Sequence, residues 1–365
     1  MTMPIVALAV SGHGFGHAVR CAEVARALID QFGVRTLVRT DAPAWLFPAQ
    51  VEHLPSPGWP LDVGVAQHDG LDLDIDETRR RWDAFAQNFD AHAEAEAQLL
   101  LEHGVDVVLG DIPPLAFAAA ALAKLPRLAL ANFGWDWIYS AWPEFERAVA
   151  TVRSGYRQAE VLLRLPLHSS DADAFCSFKA IEDVPLIARP ARRPRHEVRA
   201  ELGLDQHARV VLLSFGGFTA HGLDVLALGH RTDYVFVLTP PVSTTVAPVP
   251  RNVVGLTATP ADYVSLLAAC DVVVTKPGYG IVADCLVNRV AMLYTDRGPF
   301  REYDVLAQAL PTLGRAAYIP RAELLAGQLG SHLDALLESP VSWTDQPIDG
   351  ARRVARRLLE FIHDR

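Results

Sequence analysis

The stretch Ser11-Gly12-His13-Gly14-Phe15-Gly16-His17-Ala18-Val19-Arg20 gathers two histidines and an arginine around three glycines in five residues. Imidazole titrates near neutrality, so a histidine in such a loop can take the proton of a hydroxyl as that hydroxyl attacks an electrophile. Asp111, in Gly110-Asp111-Ile112-Pro113-Pro114, is a carboxylate that could orient His17 from another segment. Different chemistry suits two further glycine turns, Ser214-Phe215-Gly216-Gly217-Phe218-Thr219 and Lys276-Pro277-Gly278-Tyr279-Gly280-Ile281-Val282-Ala283-Asp284. Backbone N–H groups at a helix start attract anions, and two such turns can clamp one diphosphate. Lys276 could neutralise phosphate charge, or equally snorkel from a strand end. The Gly12-x-Gly14-x-Gly16 spacing is not G-x-G-x-x-G, which argues against a nicotinamide dinucleotide.

These residues act together only if the chain brings their segments to common edges. Residues 5–10 form a short apolar run, read as a buried strand. From 18 to 31, Cys21, Val24, Ala25 and Leu28 recur at helical spacing before Gly33 and a strand at 34–38. A strand at 105–109 ends at Asp111, and the prolines beyond it force an exit turn and start a helix. The strand after Pro126 ends at Asn132-Phe133-Gly134-Trp135-Asp136-Trp137. Ligands of open parallel sheets bind at carboxyl strand ends, so these two ends are expected to face the first glycine loop. The aromatic stretch has the composition of a carbohydrate-stacking site and reads equally as core packing of its tryptophans. Asn132, Trp135 and Asp136 are therefore candidates for acceptor contact, with His13, Phe15 and Arg20 from the first loop; His13 serves as readily as loop support. The structural alternative for His17 is a helix cap.

The run 71–103 lacks Gly and Pro, and its later part is read as one long helix with Trp82, Phe85 and Phe89 as its core stripe. Asp72, Asp74 and Asp76 alternate like a cation loop but lack the glycine and distal glutamate of an EF-hand, and read as a solvated helix start. Residues 166–194 lose periodicity and gather prolines and arginines, which marks a linker. Strands at 210–213, 235–238, 272–274 and 291–294 alternate with helices after it, and 349–363 is an amphipathic helix.

The loop from Gly12 to Arg20 and the segment from Lys276 to Asp284 together resemble the GT-B glycosyltransferase superfamily, especially the glycosyltransferase-like N-terminal domain of plant L-arabinokinases and, more distantly, MurG-type enzymes. The resemblance spans nearly the whole chain. It implies an α/β fold of two Rossmann-like, doubly wound domains facing across a cleft: residues 1–165 on the acceptor side, a linker at 166–194, and a nucleotide-sugar domain at 195–348, with the 349–365 helix crossing back onto the first domain. It also implies that Gly216, Gly217, Phe218, Lys276, Gly278, Tyr279 and Gly280 contact the donor and that Asp284 holds its ribose hydroxyls, although capping or a solvated helix face is open for Asp284. Relatives carry an acidic-polar pair that reads the donor sugar, here Glu302 and Tyr303. A histidine at the first glycine turn pairs in the family with an aspartate after a later strand, matching His17 and Asp111.

At 365 residues, half of them apolar, the chain can bury two cores of about 150 to 200 residues each. A net charge of −10 without a long basic block argues against a nucleic-acid partner. Four cysteines without metal spacing (Cys21, Cys176, Cys270, Cys285) read as reduced core residues. No run reaches the roughly 18 apolar residues of a membrane span, and the start lacks the basic region of a signal peptide. A cytoplasmic protein is expected. Together with the motifs, the resemblance implies a metal-independent, inverting glycosyltransferase that moves a sugar from a nucleotide diphosphate, UDP being the expected one, to a small hydroxylated acceptor, with no resident cofactor. The alternatives are a sugar-nucleotide-binding module without turnover and a nucleotide-sugar epimerase.

Overall fold

The computed structural model describes residues 3–242, 248–260, 262–340 and 343–363. The chain divides into two compact units. The first comprises the residues up to Ala66, Asp74–Ile187 and those from Pro347; the second comprises Gln67–Leu73 and Ala188–Gln346.

The first unit is built on one parallel sheet of β1 (Ile5–Val10), β2 (Arg35–Arg39), β3 (Glu52–His53), β4 (Val107–Asp111), β5 (Arg127–Ala131), β6 (Val161–Arg164) and β7 (Ile181–Asp183). Their order is β3-β2-β1-β4-β5-β6-β7. The central strands are continuous apolar runs because helices cover both faces of such a sheet. Winding starts at β1, proceeds outward to β3, then returns to β4 on the other side, so the strand order reverses between β1 and β4. The helix Phe15–Phe32 buries Cys21, Val24 and Leu28 in one core with Leu8, Leu109 and three residues of the C-terminal helix Gly350–His363, namely Val354, Ala355 and Leu358. That helix is anchored where Ile187 bridges Asp349 and the Leu186 N–H donates to the Pro347 carbonyl at 3.1 Å.

The second unit repeats the plan with β8 (Arg209–Leu213), β9 (Tyr234–Leu238), β10 (Val253–Gly255), β11 (Val272–Thr275), β12 (Ala291–Tyr294) and β13 (Ala316–Tyr318). The order is β10-β9-β8-β11-β12-β13, all parallel, and it reverses between β8 and β11. Both units therefore have the doubly wound order whose reversal point is the ligand edge.

Four expectations need correction. The later part of the run 71–103 is not one long helix: Ile75–Gln87 and Phe89–Glu102 are separated at Asn88, whose amide donates to the Ala84 carbonyl at 3.5 Å in place of helix continuation. The segment 166–194 is not simply a linker, since it carries β7; three residues at a sheet edge leave no periodic signal. Residues 67–73 belong to the second unit rather than the first. There Leu71 is fully buried in the core, Gly70 donates to the Thr219 carbonyl at 2.9 Å, and the Arg321 fork holds Asp72. Cys176 is exposed, while Cys21, Cys270 and Cys285 are buried thiols. Among the described residues no helix is long and apolar enough to cross a membrane.

Candidate active site

In the first unit, β1 and β4 run side by side with Val10 opposite Asp111, and the Ser11 N–H donates to the Asp111 carbonyl at 2.8 Å. Gly14 turns the chain at φ 71°, a left-handed value that favours glycine, and caps the helix Phe15–Phe32 without a side-chain bond. The helix thus begins three residues earlier than the apolar spacing indicates, and His17 lies within its first turn. Its ring is buried, with Nδ1 2.7 Å from Asp111 Oδ1. One turn on, Arg20 lies on the same helix face and donates through Nε to Asp111 Oδ2 and through Nη2 to Oδ1, both at 2.5 Å. Arg20 Nη1 donates to Asn132 Oδ1, and Asn132 Nδ2 in turn donates to the Pro166 carbonyl at 2.5 Å.

Asp111 has no exposed surface. Burial pushes its carboxyl up, but Arg20 and then His17 outweigh that and hold it at about 2. It is an ionised acceptor near neutrality and holds the Nδ1 side of the ring, which turns Nε2 away from it. That is the arrangement of a general base with an orienting carboxylate. The Cys21 thiol donates to Asp111 Oδ2 at 3.2 Å; burial, then the Asp111 charge, pushes it well above the ordinary thiol value, leaving it inert.

The expected acceptor contacts divide. His13 and Phe15 stay at the loop: His13 Nδ1 accepts the Val65 N–H at 3.2 Å, and Phe15 packs edge-to-face on Trp45, which is half exposed. Arg20 and Asn132 do not offer themselves to a ligand, because the polar contacts just described tie them to Asp111, to each other and to Pro166. Trp135 and Asp136 are also corrected, both being fully buried. Trp135 stacks on Tyr139, and Asp136 accepts the Ser177 hydroxyl at 2.8 Å. The tryptophans at this strand end are core.

One residue escapes the sequence reading. Asp62, buried in the proline-rich stretch after β3, accepts the Trp135 indole N–H at 2.8 Å and is hydrogen-bonded to the Ser11 hydroxyl. Burial lifts its carboxyl to about 6, with Ser11, His17 and Trp135 acting against that shift. Nothing periodic or motif-like marks it.

In the second unit the two glycine turns follow β8 and β11, hydrogen-bonded neighbours. Gly216 and Gly217 take φ of 68° and 85° and are exposed. No helix starts there: the next one, Val225–Leu228, has only four residues, so this turn offers loop amides rather than a helix start. After β11, Gly278 caps the ten-residue helix Tyr279–Asn288 without a side-chain bond, and Tyr279 and Gly280 form its first turn. Lys276 Nζ donates to Gln67 at 3.0 Å and lies 4.4 Å from the Phe218 ring centroid. Burial, then the neighbouring Arg297, pushes its ammonium well below the ordinary lysine value. Glu302 is buried in an ion pair with Arg297 at 2.5 Å, and Tyr303 beside it is half-buried, its hydroxyl pushed up to about 12 by burial.

Asp284 does not have the surroundings of a ribose ligand. It is 2% exposed, and Arg189 occupies it with the backbone N–H at 3.2 Å and the guanidinium at 2.5 Å. Those donors saturate the carboxylate, which anchors the incoming chain to the helix Tyr279–Asn288. The three alternating aspartates are likewise structural or surface groups: Asp72 pairs with Arg321, Asp74 caps the helix Ile75–Gln87, and Asp76 is exposed beside Arg79. Among the described residues no group of three or more His, Cys, Asp or Glu is placed to hold a metal ion.

No family model matches the chain. It is 31% identical over 341 residues to an L-arabinokinase of Arabidopsis thaliana, an alignment that covers 90% of this chain and 32% of that protein. The chain thus spans about a third of the length of the curated relative it matches. Among solved structures, the glycosyltransferase SnogD from Streptomyces nogalater matches at a TM-score of 0.60 and 17% identity over 99% of this chain and 96% of that one. MurG of Acinetobacter baumannii matches at a TM-score of 0.52 and 14% identity over 98% and 100%. The chain has the two-domain α/β GT-B fold of these glycosyltransferases.

Proposed function

We propose that this chain is a glycosyltransferase that moves a sugar from a nucleotide diphosphate, UDP being the nucleotide to try first, to a small hydroxylated acceptor. The observation that carries the reading is the buried His17–Asp111 pair at the strand reversal of the first sheet, in which Asp111 holds the Nδ1 side of the ring at 2.7 Å and Nε2 is the nitrogen it does not hold. As the acceptor oxygen attacks the anomeric carbon, its O–H bond breaks and the proton passes to His17 Nε2. The bond from the anomeric carbon to the diphosphate breaks with its electron pair, and displacement from the opposite side inverts the centre. Leaving-group charge is met by the backbone N–H groups of Gly216, Gly217 and the uncapped helix start at Gly278, and by Lys276. We assign donor-sugar recognition to Glu302 and Tyr303. This scheme needs no metal ion.

The test is a panel of nucleotide sugars with hydroxylated acceptors, followed by His17→Ala on the pair that turns over. General-base loss lowers turnover by about 10²–10⁴-fold, while calorimetry with the nucleotide shows unchanged affinity, since the donor loops lie in the other unit. Near-normal turnover in a folded His17→Ala protein overturns the mechanism. Donor binding without any product points instead to a binding module.

A further inference from the structure

We infer that Asp62 is a positioning residue for His17, supplying the negative charge that stabilises the imidazolium formed when His17 takes the acceptor's proton. This rests on His17 being the base. Asp111 orients the ring, but its carboxylate is held on both oxygens by the buried Arg20 guanidinium. One negative and one positive charge cancel there, so a proton arriving on His17 would be an uncompensated buried charge, which a low-dielectric site penalises heavily. Asp62 is a second buried carboxylate in electrostatic reach of the ring. It reaches that place through Trp135, whose indole N–H it accepts at 2.8 Å and whose ring lies 6.1 Å from that of His17.

The irregular stretch that carries Asp62 is clamped on both sides. Arg39 donates to the Trp59 carbonyl at 2.7 Å, Tyr139 to the Gly64 carbonyl at 2.6 Å, and the Val65 N–H to His13 at 3.2 Å. Gly64 has φ 61°, and a Cβ there would meet the His13 Cβ at 2.7 Å, so the loop is shaped for this close approach. Such clamping fixes a carboxylate that costs stability to bury, which is common where function retains a charge. The ionisable groups around the pair include Asp111 from β4, Arg20 and Cys21 from the helix of His17 itself, His13 of the first loop edge-on to Trp135, Asp41 after β2, and the Tyr139 and Tyr156 hydroxyls from the helices that follow β5.

Asp62→Asn removes the charge and keeps an oxygen for Trp135. Relative to wild type, kcat falls by roughly 10- to 100-fold, as when an outer partner of a catalytic group is lost. The acid limb of kcat/KM moves to lower pH, and calorimetry with UDP gives unchanged affinity. NMR of ring-labelled histidine, with the His17 signal identified by its loss in His17→Ala, shows its pH response displaced toward acid in the variant. A wild-type limb with wild-type kcat overturns the inference. If the wild-type protein transfers no sugar, the proposed function fails on its own, and the NMR comparison alone decides: an undisplaced His17 response overturns the role of Asp62. Should Asp62→Asn not fold, Ser11→Ala, which removes one donor from the same carboxylate, shifts the His17 response by a smaller amount in the same direction, and no shift overturns it.

Discussion

Between β1 and β4 the side chains are buried and bound to one another, whereas between β8 and β11 the chain presents exposed glycines and an uncapped helix start. Both places are the reversal point of a doubly wound sheet, so topology alone does not separate them. The difference lies in what each is suited to hold. Proton transfer depends on one lone pair at a fixed angle, and a ring locked by a carboxylate that is itself locked by an arginine suits that demand. A diphosphate is large and strongly hydrated, and it replaces its water shell with several N–H groups at once; loop amides that stay open to solvent suit that exchange.

If the first reversal point is built in advance, breaking its network is costly. Arg20→Ala removes the guanidinium that holds Asp111 and leaves that buried carboxylate with His17 and Cys21. Stability falls by about 3–5 kcal/mol, the range for deleting one partner of a buried ion pair. Chemical denaturation measures it. A loss below about 1 kcal/mol, typical of a surface pair, places the network in contact with water and removes the contrast.

A smaller effect sharpens the other side. Asp284→Ala leaves the Arg189 guanidinium without its carboxylate, but that side chain is 23% exposed and can turn to water. The second unit loses about 2 kcal/mol, and UDP affinity changes little, because Asp284 is internal to the unit. Collapse of UDP binding with unchanged stability returns the carboxylate to the ribose and makes the second site as preformed as the first.

How far these features are legible follows from how local their signals are. The His17–Asp111 pair can be read because a glycine turn after an apolar run and a proline exit after another mark strand ends without tertiary information. Arg20 is visible but easily misplaced: three residues from His17 it shares a helix face only if the helix begins at Phe15, and the alanine-rich pattern obscures that start. Gly216 and Gly217 do form a turn, but the helix expected after them is absent because Phe218 to Leu223 carries no helical periodicity. Asp284 matches a motif position, while the arginine that occupies it lies 95 residues away. Asp62 has no signal, since its surroundings are assembled by Trp135, Tyr139 and Arg39 from separate strand ends. The excursion of residues 67–73 into the second unit is invisible for the same reason: polar and small residues around two leucines carry no pattern.

The smallest expected effect probes the second site by protons rather than by affinity. Without ligand, burial and Arg297 disfavour the charged form of Lys276, so its folded value lies well below the ordinary 10.5. A diphosphate brings negative charge beside the ammonium and favours the charged form, raising that value again. The complex therefore holds more protons than the free protein between the two values, and binding takes up a fraction of one proton in that interval below the ordinary lysine value. Calorimetry of UDP binding in two buffers of different ionisation enthalpy reads this as a buffer-dependent heat. Lys276→Met abolishes the buffer dependence and weakens binding by about 1 kcal/mol, the scale of one charge-assisted contact. Equal heats in both buffers for the wild-type protein mean that the diphosphate does not approach Lys276, and the phosphate assignment then moves to the loop amides of Gly216 and Gly217 alone.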